Sequence, residues 1–207
     1  MPSRLAERHA TLVLDASVLI NLLGTGRAAD LVRCLGVEVL AVEEAAREVE
    51  EDPSDGGPGA VALERLASAG LLRVVRLGPG PLGTYQDLAA GVGVGVVLGE
   101  GEAATIAYAL HSGATAVLDD KQATRVARGL LSSEPPLCTL DLLASPRVEA
   151  ALGRAGATDA MYEALVRAQI RVPAEFKEWL IAMVGRERLR GCPSVSPRWL
   201  DSPGARR

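Results

Sequence analysis

The amino-acid sequence predicts an α/β fold with a central parallel sheet, followed by a C-terminal helical extension. Short apolar runs, of the length of buried strands, alternate with segments of helical period. The first of these runs and the run at residues 114–118 end in acidic residues that directly precede a helix. From Pro146 onward the period is helical and no strand candidate follows.

The first strand candidate lies in the stretch TLVLDASVLINLL at residues 11–23. Its apolar run is continuous, as in a parallel strand that is buried on both faces, and it ends at Asp15. A helix should begin just beyond, with Ser17 near its start, and continue to about Leu35. Because ligands of open α/β sheets bind at the carboxyl ends of strands, Asp15 is a candidate site residue.

Two more strand candidates are VEVLAV at residues 37–42 and LLRVVRL at residues 71–77. The first of them leads into the acidic segment EEAAREVEED, in which Glu44 and Glu48 are four residues apart and therefore share a helix face. We expect Glu48 to be functional and most other acids of this segment to form a solvated face.

The stretch GPGPLG at residues 78–83 formally matches a glycine-rich nucleotide-binding motif. Pro79 and Pro81 remove the backbone donors that a phosphate cradle needs, and no helix is expected to open on the last glycine. We therefore predict a connecting loop there, and a flexible loop in the segment YQDLAAGVGVGVVL that follows.

Glu102 lies in the first turn of the helix predicted for LGEGEAATIAYALHSG. The next segment, ATAVLDDKQATRVARGL, repeats the opening layout, with a strand that ends at Asp119 and Asp120 and then a helix. Arg125 and Arg128 share one face of that helix. They either contact phosphate or are simply exposed.

Acidic residues thus follow several strands of the predicted sheet: Asp15, Glu44 or Glu48, Glu102, and Asp119 or Asp120. In a parallel sheet these points meet at one edge, where the carboxylates would repel one another unless cations bind. Mg²⁺ and Mn²⁺ prefer oxygen ligands, and such a site suits metal-assisted hydrolysis of phosphodiester bonds. The alternative is that Asp15 merely caps a helix through a backbone amide.

The motifs LVLDASVLINLL, VEEAAREV, LGEGEAATIAYA and AVLDDKQATRVA, in this order, resemble the acidic motifs of the PIN-domain family. The resemblance covers about Thr11 to Ala144. It implies a PIN-like (Rossmann-like) three-layer α/β/α fold with a central parallel sheet. It also implies a divalent-metal-dependent endoribonuclease that cleaves single-stranded RNA with Mg²⁺ or Mn²⁺, as do the toxins of toxin–antitoxin pairs.

The resemblance also implies roles for residues of this chain. Ser17 would support Asp15, and the other catalytic acids would be Glu48, Glu102, and Asp119 or Asp120. The family usually has Thr or Ser shortly before the fourth acid, whereas this chain has paired aspartates, so either can be the ligand. The implied metal ligands are Asp15, Glu102, Asp119 and Asp120. Arg125 and Arg128 are the candidates for substrate binding.

We expect a PIN-like domain at residues 1–145, a helical extension at residues 146–190 and a disordered tail at residues 191–207. The net charge of −4 and the pI near 5.3 do not support broad electrostatic binding of nucleic acid, but they allow a local basic patch. They also motivate an alternative, a PIN-like protein-interaction module that binds metal without cleavage. A nucleotide-binding protein is the third interpretation, and it lacks a usable glycine motif.

The scattered cysteines fit neither a zinc site nor a disulfide framework, so we expect a reduced, cytoplasmic protein. The polar N-terminus lacks the pattern of a signal peptide, and no apolar stretch has the length of a membrane span. The expected partners are an RNA substrate, an antitoxin or other protein, and a second copy of this chain in a homodimer.

Overall fold

The computed structural model describes residues 3–6, 9–131 and 134–201. Its core is a four-stranded sheet in the order β3-β2-β1-β4. The strands are β1 (Thr11–Leu14), β2 (Glu38–Val42), β3 (Arg73–Val75) and β4 (Thr115–Val117). Every pair of neighbouring strands is parallel, which confirms the predicted α/β fold.

Helices connect these strands, and the right-handed sense of parallel crossovers places them on both faces of the sheet. They are α1 (Ala16–Gly24), α2 (Ala28–Leu35), α3 (Glu43–Arg47), α4 (Gly59–Ser68), α5 (Pro79–Ala90), α6 (Glu100–Ser112), α7 (Lys121–Leu130) and α8 (Thr139–Leu143). Helix α6 packs against three of the strands, β1, β2 and β4.

Strand β1 lies at the centre of the core. Leu12, Val13 and Leu14 are at most 1% exposed, because β2 and β4 cover both edges of the strand and helices cover both faces. Val13 pairs with Leu40 on one side and with Ala116 on the other. This arrangement explains the continuous apolar run, which is typical of parallel strands buried on both faces.

The prediction of a connecting loop at GPGPLG is wrong. Pro79 begins helix α5, and Pro81 lies in its first turn. The first amides of a helix have no partner within the helix, so a proline costs no hydrogen bond there, and its fixed φ suits the helical backbone. The predicted glycine-rich loop begins only at Gly91, whose φ of 74° ends α5.

The helix predicted to continue to Leu35 is interrupted. Helix α1 ends at Gly24 and α2 begins at Ala28. Between them Gly26 has a φ of 68°, which a helix does not allow and which glycine adopts readily. The interruption lets α2 change direction before the chain enters β2.

The predicted helical extension is present after Pro146. It contains α9 (Pro146–Glu163), a π-helix (Ala164–Ala168), a 3₁₀ turn (Ala174–Phe176), α10 (Lys177–Val184) and α11 (Arg186–Arg190). Leu165, Phe176 and Leu180 are at most 1% exposed and belong to the same hydrophobic cluster as β1. The extension and the α/β domain therefore share one core.

The segment predicted to be a disordered tail begins at residue 191. Within it, the structure has a short helix, α12 (Pro197–Asp201), in which Leu200 is buried. Residues 202–207 of the predicted tail lie outside the described residues.

The three cysteines, Cys34, Cys138 and Cys192, are free thiols. Burial raises the pKa of the Cys138 thiol to about 12, which makes it a poor nucleophile. Among the described residues, no helix has both the length and the apolar character that crossing a membrane requires.

A close contact joins the extension to α1. A Cβ atom added to Gly24 would lie 2.7 Å from the Cβ of Ala168, the last residue of the π-helix. We expect Gly24→Ala to lower the free energy of unfolding by about 1–3 kcal/mol, the usual cost of overpacking. Urea denaturation followed by circular dichroism measures this change.

Gly129→Ala is the matched control, because a Cβ at this position of α7 meets nothing within 4 Å. It should leave the stability unchanged or raise it by up to about 1 kcal/mol. Equal stability of the Gly24→Ala protein and the wild type would contradict the close contact between α1 and the π-helix.

Candidate active site

The acidic residues singled out by the sequence lie at the carboxyl edge of the sheet. Asp15 follows β1, and Asp119 and Asp120 follow β4. Glu48 ends the helix that follows β2, and Glu102 lies in the first turn of α6. The chain turns from strand to helix at this edge, so side chains from separate parts of the sequence meet there.

Asp15 is 3% exposed and caps α1. Its Oδ2 accepts hydrogen bonds from the Ser17 backbone amide at 3.3 Å and from the Ser17 hydroxyl at 2.7 Å. The helix-capping interpretation of Asp15 is therefore correct for one oxygen. The other oxygen, Oδ1, is buried without a hydrogen-bond partner in the described part of the chain.

Burial is the main cause that raises the pKa of the Asp15 carboxyl. The hydrogen bond from Ser17 opposes this rise, and the charge of Asp120 adds to it. A buried carboxylate oxygen without a donor is costly, and a nearby negative charge increases the cost. The local environment of Asp15 thus favours the approach of a cation.

Glu102 is the second acid of this cluster. Its Oε2 accepts a hydrogen bond from the backbone amide of Gly99 at 3.1 Å, which closes the first turn of α6. Burial is the largest cause of its raised pKa, and the Gly99 amide partly opposes it. The charges of Asp15 and Asp120 raise the pKa of Glu102 further, so the three carboxyls share one electrostatic environment.

Glu48 is tied to the same helix from a different direction. Its Oε1 accepts a hydrogen bond from the Gly101 backbone amide at 2.7 Å. A Cβ atom on Gly101 would lie 3.0 Å from the Glu48 carboxylate, so this approach depends on glycine. The charge of Glu48 also contributes to the raised pKa of Glu102.

Glu44 differs from the solvated helix face predicted for its segment. Its Oε2 is buried without a hydrogen-bond partner among the described residues, and its Oε1 lies 3.8 Å from Arg47. Glu43, by contrast, is engaged by Arg76 at 2.6 Å. The sequence distinguishes the two neighbours only by spacing, since Glu44 lies four residues before Glu48 on the same helix face and Glu43 does not.

The paired aspartates have different surroundings. Asp119 accepts hydrogen bonds from the Asn21 side chain at 2.6 Å, from the Thr139 amide at 2.9 Å and from the Thr139 hydroxyl. Asp120 caps α7, with Oδ1 accepting from the amides of Gln122 and Ala123. Both oxygens of Asp119 are thus occupied, whereas Oδ2 of Asp120 has no such bond among the described residues.

Sequence reasoning missed Asn21 and Thr139. Asn21 is 6% exposed and Thr139 is fully buried, so each is a polar side chain whose position only the fold explains. A signal existed for Asn21, because it is a polar residue within the apolar run of α1. Thr139 comes from a segment far along the chain and carried no such signal.

The described carboxylates do not form a complete metal cage. Among those residues, no three side chains of the His, Cys, Asp or Glu type are close enough together to hold a metal ion. Arg125 and Arg128 are exposed on α7 and line a cavity that Asp119 also borders.

Thr139 donates two hydrogen bonds to the Asp119 carboxylate, one from its amide and one from its hydroxyl. We expect Thr139→Val to lower the free energy of unfolding by about 1–3 kcal/mol, because it leaves a partly buried carboxylate without one donor. Thr105→Val is a matched control, since the Thr105 hydroxyl is buried without a partner in the described chain. The control should be neutral or stabilising in urea denaturation, and a Thr139→Val protein as stable as the wild type would contradict the role given to Thr139.

A comparison with family models finds one described as a PIN domain, which matches residues 11–131. The match runs from the start of β1 to the end of α7 and includes every acid of the site. No curated protein and no solved structure matches this chain. The matched region is more than half of the sequence, and its parallel sheet with acids at the carboxyl edge has the expected architecture. The chain therefore belongs to the PIN-domain family, which has a nuclease-type fold.

Proposed function

We propose that this protein is a divalent-metal-dependent endoribonuclease that hydrolyses phosphodiester bonds of single-stranded RNA. The observation that carries the proposal is Oδ1 of Asp15, a buried carboxylate oxygen without a hydrogen-bond partner in the described chain. It lies at the end of the central strand, in the same electrostatic environment as Glu102 and Asp120. PIN domains typically use divalent metals, and the family supplies the class of reaction.

The chemistry of the donors supports Mg²⁺ or Mn²⁺ as the cofactor. Both are hard cations that prefer oxygen ligands, and Mg²⁺ commonly keeps several waters and binds through one or two carboxylates. The lack of a complete cage among the described residues is compatible with this coordination. We infer that Asp15 Oδ1 would hold the ion together with either Glu102 or Asp120 Oδ2, and that waters would complete its coordination.

The remaining polar groups position these ligands. Ser17 holds Oδ2 of Asp15, which leaves Oδ1 available. Asn21 and Thr139 hold Asp119, so we assign Asp119 to orienting the turn between β4 and α7 rather than to direct ligation. Glu48, fixed by the Gly101 amide, adds negative charge beside Glu102.

A bound divalent ion would polarise the scissile phosphate and increase the acidity of water for attack on phosphorus. The protein's part is to hold the carboxylates in place and to orient the RNA backbone. No histidine is needed in this scheme, because the acids at this edge supply the oxygen donors.

The family resemblance extends the proposal to partners. We propose an antitoxin or other protein partner and a homodimer, and we place the protein in the cytoplasm. Size-exclusion chromatography with light scattering gives the oligomeric state directly.

Asp15→Asn is the direct test of the metal site. We expect the variant to lose more than about 100-fold in the rate of single-stranded RNA cleavage with Mg²⁺ or Mn²⁺, because altering even an outer-shell group costs 10–100-fold. EDTA should abolish cleavage by the wild type. Gel analysis of a labelled RNA measures both effects.

The control is Asp30→Asn, since Asp30 is a partly exposed aspartate of α2. Its ion pairs are with Arg27, which caps α2, and with Arg33 of the same helix. This variant should cleave at the wild-type rate. If the wild type neither cleaves RNA nor gains thermal stability with Mg²⁺ or Mn²⁺, the proposed function is incorrect.

Gly101→Ala tests whether Glu48 must stay beside Glu102. The new Cβ would displace the flexible Glu48 carboxylate, so we expect about 10-fold slower cleavage with little change in the thermal unfolding midpoint. Gly83→Ala on α5 is the control, because a Cβ there meets nothing within 4 Å. Wild-type activity in the Gly101→Ala protein would argue against a role for Glu48.

A further inference from the structure

A groove beside the candidate active site is lined by several basic side chains. It has a volume of about 500 Å³ and lies between α7 and the segment of the extension that follows the π-helix. We name it the α7 groove. Four of its basic lining residues are Lys121, Arg125, Arg128 and Arg171. Leu118 and Asp119, which directly follow β4, also line the groove.

Three of these cations come from one helix face. Lys121, Arg125 and Arg128 are exposed and follow one another at intervals of four and three residues. Side chains at this spacing lie on the same side of a helix. They therefore form a row that begins next to Asp120, the residue that caps α7.

The fourth cation comes from the extension. Nη1 of Arg171 donates a hydrogen bond to the backbone carbonyl of Asp119 at 3.0 Å. This contact brings the extension to the carboxyl end of β4, where the acids meet. The extension thus supplies one wall of the groove, and the α/β domain supplies the other.

These four cations differ in their ion pairing from many other cations on the surface. Arg73 lies 2.6 Å from Glu38, and Arg76 lies 2.6 Å from Glu43. Arg4, which also lines the α7 groove, is paired with Asp141. By contrast, the structure gives Lys121, Arg125, Arg128 and Arg171 no carboxylate partner within 4.0 Å among the described residues.

Within the described ranges, the acids near the groove do not pair with this row. Asp119 is engaged by Asn21 and Thr139, and Glu175 is the other acidic side chain of the lining. Like charges on one helix face repel one another, so the arrangement costs free energy unless an anion binds. Arginine suits phosphate in particular, because its planar fork donates two parallel hydrogen bonds.

We propose that the α7 groove binds the phosphate backbone of single-stranded nucleic acid and leads it to the carboxylate cluster, with Arg171 of the extension as a substrate contact. This inference rests on the proposed nuclease function, since it names the path of the substrate into that site. The groove concentrates positive charge locally in a chain whose net charge is −4. The extension is then part of the substrate-binding surface as well as of the hydrophobic core.

The test is equilibrium binding of a fluorescein-labelled single-stranded RNA, measured by anisotropy at several salt concentrations. The Asp15→Asn background prevents cleavage during the measurement. In this background we compare three variants. The first carries Arg171→Gln alone, and the second combines Arg125→Gln, Arg128→Gln and Arg171→Gln. The third, Arg65→Gln, is the control. Arg65 is exposed on α4, outside the groove, and has no ion pair among the described residues.

Each lost phosphate contact should reduce the slope of log K against log salt by about 0.7, the value for single strands. We therefore expect a smaller slope and weaker binding for Arg171→Gln, a reduction of about 2 in the slope for the triple variant, and no change for Arg65→Gln. Thermal unfolding checks that each variant is folded. Because Arg125 and Arg128 are exposed, their double variant provides the same test if Arg171→Gln does not fold.

Unchanged affinity and salt slope in the triple variant would overturn the inference. The inference would also be overturned if polyglutamate displaced the labelled RNA as well as unlabelled RNA of the same charge does. The groove would then fit an acidic protein. If the wild type cleaves RNA but the groove variants bind RNA as their parent does, this inference alone is contradicted. Groove-dependent RNA binding without any cleavage by the wild type would contradict the proposed nuclease function alone.

Discussion

Complete burial of β1 is the constraint on which the rest of the structure depends. The strand lies between β2 and β4, and its residues Leu12, Val13 and Leu14 have almost no exposed surface. The chain leaves this strand directly into Asp15, so a carboxyl group is held where water is largely excluded. The burial that stabilises the sheet therefore also raises the pKa of Asp15, one of whose oxygens has no donor among the described residues.

The acids of the site have structural roles as well as proposed chemical ones. Asp15 caps α1, Asp120 caps α7, and Glu102 closes the first turn of α6. Helix N-termini stabilise negative charge, and a parallel sheet brings several of them to one edge. The capping and metal-binding interpretations therefore do not exclude each other, because Asp15 uses one oxygen for the helix and its other oxygen accepts no hydrogen bond within the described chain.

The extension is an integral part of the fold. The π-helix packs closely on α1 at Gly24 and Ala168, and its Leu165 is fully buried. A few residues further on, Arg171 reaches the backbone of Asp119. Packing against α1 thus fixes the point at which the extension meets the edge of the sheet that carries the acids.

The sequence by itself determined the class of the fold, the approximate place of each strand, and the acids at the strand ends. These features are local. A strand that is buried on both faces needs a continuous apolar run, and the start of the helix that follows it favours an acidic residue. The helical character of the extension was also predictable, because it depends on periodicity alone. The same local rules erred at Pro79, since a proline that breaks a helix in its interior is favoured in its first turn.

Only the tertiary structure decided the surroundings of each acid. Asp119 and Asp120 are neighbours in the sequence, yet one accepts hydrogen bonds from Asn21 and Thr139 while the other caps α7. The partners of Asp119 come from α1 and from the start of α8, so their contact depends on how distant segments pack. The same holds for Gly101 beside Glu48 and for Arg171 beside Asp119, because contacts between distant residues follow from the packing of the whole chain and leave no local pattern.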